Sequence, residues 1–162
     1  MSQFKIDPEE IVDYLIKYCD KNTKIYIGAD SEKYKKNGKW YADYTVAVVV
    51  HRNGKNGGRV FGEISTELDF DLKPNRPSMR LMNEVRKLAD VYTNLAPLID
   101  EYEIELHIDI SRDEHHGSSC VINEAVGYIR GMCGMDPKAK PEAFAASYCA
   151  DRLKEIMSHQ AA

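Results

Sequence analysis

Three acidic residues stand at positions from which a fold could gather them: Asp30, Glu84 and Asp109. Asp30 closes the stretch KIYIGAD, where Ile25, Ile27 and Ala29 alternate with Tyr26, Gly28 and Asp30, the period-two pattern of a short β-strand. A buried strand that ends on a carboxylate sets a negative charge at the rim of a sheet, within reach of a metal or substrate; the same residue can also cap a turn. Asp109 ends a second such run, in which Ile104, Leu106 and Ile108 alternate with Glu105, His107 and Asp109. If the two strands lie side by side and parallel, their carboxylates face one another at the edge where α/β sites collect. Glu84 belongs to a helical pattern. At roughly 100° per residue it falls between Val91 and Leu95, inside or beside the apolar sector. A Glu there is costly to bury unless a cation meets it, or it snorkels past the helix edge.

Carboxylates brought that close repel one another, and either take up protons or collect divalent cations. Oxygen-only ligands favour Mg²⁺ or Mn²⁺ over zinc. Two such ions about 3.5–4 Å apart activate water and stabilise the leaving oxygen in phosphodiester hydrolysis.

The elements that must position these acids can be read in chain order. Asp7-Pro8-Glu9-Glu10 starts a helix, with Asp7 as N-cap and acids in the first turn, and Ile11, Leu15 and Tyr18 form its apolar stripe. It should stop near Asp20 to Asn22 and pack on the main fold as an accessory element, residues 1–22, ahead of a domain over 23–162. The KIYIGAD strand, a long strand over Trp40–His51 and a third extended segment through Val60, Phe61, Ile64 and Leu68 follow. Short turns at Asn37-Gly38, Asn53-Gly54 and Gly57-Gly58 join them into an antiparallel meander. After a break at Lys73–Ser78 comes a helix whose buried face is Leu81, Val85, Leu88, Tyr92 and Leu95, then the Ile104–Ile110 strand. A helix from about Ser118 to Met132 follows, with Val121, Ala125, Tyr128 and Met132 on one side. Asp136–Lys140 suits a short edge strand, and Pro141 opens a last helix to about His159. The expected order is βββαβαβα behind an N-terminal helix.

The bulk composition bounds the rest. With 162 residues, 43% hydrophobic and 30% charged, the chain is expected to form one soluble domain. Its longest strongly apolar run, Val46–Val50, is too short to cross a bilayer, and MSQFKIDPEE has no signal-peptide pattern. Cys19, Cys120, Cys133 and Cys149 lack CxxC spacing and read as reduced thiols, which suits the cytoplasm. A net charge of −4 speaks against an indiscriminate nucleic-acid binder. Yet Lys33, Lys35, Lys36, Lys39, Arg52, Lys55 and Arg59 crowd one stretch against the single acid Asp43. That stretch either follows a phosphate backbone or forms two solvated hairpin loops; Tyr34, Trp40, Tyr41 and Tyr44 beside the lysines could stack on bases.

The βββαβαβ order, with Asp closing the first strand, Glu in the first core helix and Asp closing the fourth strand, resembles the ribonuclease H-like superfamily. Within it the chain looks most like the YkuK family of bacterial and phage proteins, through IGADS (27–31), RLMNEVRKL (80–88), LHIDIS (106–111), SSCVINEAVGYIRGMCG (118–134) and AKPEAFAASYCAD (139–151). The resemblance implies an α/β fold: a five-stranded mixed sheet, three antiparallel strands and then alternating helices and parallel strands, flanked by helices, with an extra N-terminal helix. It also implies metal-dependent cleavage of nucleic acid, DNA or RNA, with Asp30, Glu84, Asp109 and Asp151 as ligands of two Mg²⁺ or Mn²⁺ ions. Periodicity alone sets Asp151 opposite Ala145, Cys149, Leu153 and Ile156, facing solvent; the resemblance makes it the fourth acid. Some members use a mobile histidine, a role open to His115 or His116. Two departures stand out. SEKYKKNGKW replaces the glycine-rich turn after the first Asp, and no basic handle is present, so specificity for hybrids does not carry over.

Other motifs point elsewhere less well. DISRDEHH lacks partners at zinc spacing, and neither GxxxxGK[ST] nor GxGxxG occurs. Ser118 and Ser119 suit helix caps, and Glu63 and Glu67 are expected to face solvent on a strand. The expected activity is hydrolysis by a metal-activated water. The alternative is a module that binds nucleic acid or protein without catalysis; an actin-like phosphotransferase needs two such domains. No membrane partner is expected, and self-association is compatible with either reading.

Overall fold

The computed structural model describes residues 2–52, 58–69, 78–111 and 121–140. Their elements run β1 (Ser2–Phe4), α1 (Pro8–Tyr18), β2 (Lys24–Lys36), β3 (Lys39–His51), β4 (Gly58–Leu68), α2 (Ser78–Ile99), β5 (Glu103–Ser111), α3 (Ile122–Cys133) and β6 (Lys138–Lys140). The sheet order is β1-β4-β3-β2-β5-β6. Pairing is antiparallel from β1 to β2 and parallel from β2 through β5 to β6. The expected five-stranded α/β sheet of ribonuclease H-like type is present, and β1 adds a sixth, three-residue strand to its edge. The N-terminal segment therefore contributes a strand as well as a helix. The final helix expected from Pro141 lies outside the described residues.

Local chemistry explains the boundaries. Asp7 caps α1 by accepting a hydrogen bond from the Glu9 amide at 3.0 Å, and Pro8 occupies the first turn. α1 ends at Tyr18, two residues before the expected stop. Asn37 and Gly38, at φ 52° and 78°, form the turn that joins β2 to β3. Gly58 has no room for a side chain, because a Cβ there would lie 2.1 Å from the Val50 carbonyl oxygen.

Strand alternation divides the side chains between two faces. Ile25, Ile27, Ala29, Val46, Val48, Val50, Leu106 and Ile108 enter one core with Ile11 and Leu15 of α1, Leu81, Val85, Leu88 and Leu95 of α2, and Ala125 and Ile129 of α3. All three helices thus pack on the same face. The second face carries Ala47 and Val49, with Tyr26, Val60 and Ile64 packed against them.

Three expectations about side-chain orientation are corrected. Tyr18 is 55% exposed, because α1 buries only Ile11 and Leu15 and the Tyr18 ring lies against Tyr14 at the helix end. In α3, Ile129 is buried and Met132 is 49% exposed, so the buried stripe is Val121, Ala125, Ile129. Glu63 is half-buried on the helix-bearing face, where its Oε1 accepts the Ile6 amide at 3.5 Å; Glu67 is exposed and pairs with Lys87 at 3.0 Å.

Candidate active site

β2 does not stop at Asp30, as the short-strand reading expects, but continues for six residues to Lys36. What stops there is the parallel pairing: the β2–β5 ladder has Ala29 opposite Ile108 as its last pair, while β5 itself runs on past Asp109 to Ser111. Asp30 and Asp109 are the next residues on these neighbouring strands, about 4.8 Å apart in backbone spacing. Alternation turns both carboxylates to the second face, the one without α2. The edge exists because β3 keeps β2 paired beyond Asp30 while β5 leaves it.

Glu84 reaches this edge from the other side. It is 3% exposed on α2, and its Oε1 accepts a hydrogen bond from the Ser31 hydroxyl at 2.5 Å. Ser31 follows Asp30 and points to the helix-bearing face, and its Oγ in turn accepts from Arg80 Nη1 at 2.7 Å. Arg80 lies one helical turn before Glu84, so α2 supplies both ends of this bridge. Burial lifts the Glu84 pKa well above the usual carboxylate range. The Ser31 bond opposes that, the charges of Asp30 and Asp109 add to it, and Arg80 offsets part of it. The three acids therefore sense one another.

The donor set is all carboxylate and hydroxyl oxygen, the chemistry that suits Mg²⁺ or Mn²⁺. A cation between Asp30 and Asp109 would also relieve the charge that burial makes costly at Glu84. Among the described residues, however, no group of three or more His, Cys, Asp or Glu side chains is close enough to hold an ion. The Glu84 carboxylate is turned to Ser31. Asp151, His115 and His116 lie outside the described residues, as do Lys55, Ser118 and Ser119.

The basic stretch is divided by the length of β3. Lys33, Lys35, Lys36 and Lys39 line the arm that runs past Asp30 to the Asn37-Gly38 turn. Arg52 lies just past the far end of β3, whose thirteen residues span about 40 Å. There its guanidinium stands 5.9 Å from the Tyr18 ring. These cations do not form one track. Lys33 pairs with Asp69 at 3.3 Å and stands 4.8 Å from the Trp40 ring centre, whereas Lys35, Lys36 and Lys39 are exposed. Tyr44 is withdrawn from any stacking role. It is buried, its hydroxyl accepts from Asn83 Nδ2 at 3.2 Å, and burial pushes its pKa up to about 12.

Sequence reasoning did not single out Ser31 and Arg80. The signal for Arg80 was its four-residue spacing from a Glu on an apolar helix face. Ser31 shares the strand parity of Ile25, Ile27 and Ala29, which turns it toward α2.

A meander of antiparallel strands, a crossover helix and parallel strands, with acids at the edge where parallel pairing ends, defines an α/β domain of ribonuclease H-like architecture. A family model described as Ribonuclease H-like matches residues 8–155, so the chain belongs to the ribonuclease H-like family. No curated protein and no solved structure matches the chain.

Proposed function

We propose that the protein is a divalent-metal-dependent nuclease that hydrolyses phosphodiester bonds in DNA or RNA. One observation carries this reading: Asp30 and Asp109 follow directly on the last parallel pair of β2 and β5, and both act electrostatically on buried Glu84. Asp30, Glu84 and Asp109 would hold Mg²⁺ or Mn²⁺, with Asp151 as the fourth ligand. When bound, two such ions activate water and stabilise the leaving oxygen. Asp30 and Asp109 would set the negative charge of the sheet edge that attracts the cation. Ser31 and Arg80 orient the Glu84 carboxylate, and the lysines at the tip of the hairpin attract the phosphate backbone. His115 or His116 would assist proton movement or product release.

Asp30→Asn is expected to reduce Mg²⁺-dependent cleavage by about a hundredfold or more, since it removes one charge from a shared ligand set. Its circular dichroism and Tm should stay near those of the wild type. Wild-type cleavage by that variant would refute the assignment.

A second reading, a binding module without catalysis, draws on the hydrogen-bonded Glu84 and on the lack of a three-acid cluster among the described residues. It predicts equal oligonucleotide binding in Mg²⁺ and in EDTA, with no strand cut.

A further inference from the structure

The β2–β3 hairpin carries an arrangement that nuclease chemistry does not require. Cross-strand register sets Tyr34 opposite Tyr41 and Lys36 opposite Lys39. Alternation puts these four side chains on the face that also bears Asp30 and Asp109. The two tyrosine rings are stacked, with centroids 5.9 Å apart and planes inclined by 23°. The Tyr34 hydroxyl donates to Asp43 Oδ1 at 3.2 Å, which also accepts from the Thr66 hydroxyl at 2.6 Å. These bonds orient the Tyr34 ring, and Tyr41 packs against it. Beside the ring pair lies a groove of about 530 Å³ whose walls include Tyr34, Tyr41, Lys36, Asn37, Leu68 and the acid Glu67.

Lys36 and Lys39 make the tip end of the groove the end suited to an anionic group. Asp43 is engaged by two hydroxyls, Glu67 by Lys87 at 3.0 Å and Asp69 by Lys33 at 3.3 Å. Lys36 and Lys39 are exposed at the tip, next to the rings. Flat apolar surface with ammonium groups alongside suits a nucleobase with its phosphate, and stacking of this kind requires an unpaired base. The exposed acid Glu32 lies between Asp30 and Tyr34, so phosphates are drawn to the tip rather than spread evenly along the strand.

We propose that this face of the hairpin is a stacking site for the bases of single-stranded nucleic acid. Tyr34 and Tyr41 form the platform, and Lys36 and Lys39 meet the phosphates. Tyr34 lies four residues beyond Asp30 on one strand, about 13 Å away. That corresponds to about four stacked nucleotides at 3.4 Å each. The site thus grips a single strand a few nucleotides from the acidic edge. The proposal rests on the nucleic-acid reading above but not on cleavage.

The test is binding of fluorescein-labelled oligothymidylate to the full chain in EDTA, where metal-dependent cutting is silent, beside an abasic oligomer of equal length. Tyr34→Leu and Tyr41→Leu are each expected to weaken oligothymidylate binding about tenfold and to leave the abasic oligomer unaffected. Tyr34→Phe keeps the ring but removes its bond to Asp43, and should lose less affinity than Tyr34→Leu. Lys36→Ser with Lys39→Ser, at exposed positions that carry no fold, should weaken both oligomers and lower the salt dependence by about two phosphate contacts. Unchanged affinity in both leucine variants, or an abasic oligomer bound as tightly as oligothymidylate, overturns the stacking site alone. If the leucine variants do not fold, an unaltered salt dependence in the double lysine variant overturns it instead. A wild type that binds neither oligomer overturns this proposal and the nucleic-acid reading together. Tenfold weaker oligothymidylate binding in the leucine variants, together with wild-type cleavage by Asp30→Asn, leaves the stacking site standing and overturns the metal assignment alone.

Discussion

Glu84 shows how one residue can favour chemistry at the expense of stability. Its carboxyl is buried beside two other acids, and its proton is held more tightly than in the unfolded chain. For a carboxyl whose folded pKa is raised, the native state binds more protons above the ordinary value of 4.5, so stability falls as pH rises through that window. Glu84→Gln keeps a group that can accept the Ser31 hydroxyl and removes the buried charge. It is expected to raise Tm at pH 8 by on the order of 3 °C in EDTA while abolishing metal-dependent cleavage. A thermal melt at pH 8 and again at pH 4 checks this, because the gain should vanish at the lower pH. A lower Tm than the wild type at both pH values would mean that the Glu84 charge is compensated in the folded chain.

At the scale of elements, the site depends on α2 and on the mismatch between β2 and β5. α2 holds Glu84 and Arg80 over the sheet through Leu81, Val85, Leu88 and Leu95. Leu88 is fully buried at the middle of that face. Leu88→Ala should cost about 2–5 kcal/mol by leaving a cavity, and lower Tm by about 10 °C in a chain of this size. Activity measured below the new midpoint should persist, since no ligand is removed. The β2–β3 hairpin has a different status. Past Asp30 it has β4 as a neighbour only on the β3 side, so it projects as an arm that can change its surface residues without disturbing the helical core.

The whole molecule has an acid-sensitive second face. Although burial disfavours its charge, hydrogen bonds from Lys138, Lys24 and His107 hold the Glu105 carboxyl down to about 2. Lys138 lies at 2.7 Å, Lys24 at 2.5 Å and His107 at 3.0 Å. A depressed carboxyl contributes stability that is complete above its ordinary value of 4.5 and is lost as pH falls toward about 2. His107, kept neutral chiefly by burial, adds stability that is lost as pH falls below 6.5. Denaturant unfolding between pH 7 and pH 3 should therefore show a falling midpoint, and Glu105→Gln should flatten the lower part of that limb. A limb identical to the wild type's would show that the Lys24–Glu105–Lys138 cluster does not contribute to folding. Among the described residues no helix is long and apolar enough to cross a membrane.

Element types and most boundaries were legible in the chain itself. Alternation at Ile25–Ala29 and Ile104–Ile108, the Asp7-Pro8 start and the Asn37-Gly38 turn are local signals, and local backbone preferences decide them. The three acids were legible as candidates for the same reason: strand parity and helical spacing assign each a face. Their relation was not. Only the parallel register of β2 against β5, which pairs residues about eighty positions apart, makes Asp30 and Asp109 consecutive neighbours. Only the packing of α2 on that sheet turns Glu84 to Ser31 and buries Tyr44, and only the pairing of β4 with β3 brings Asp69 to Lys33. A thirteen-residue strand likewise divides a basic stretch that is continuous in sequence. Periodicity states which way a side chain points. What it meets there depends on long-range burial and pairing, which close only when the whole sheet and its helices assemble.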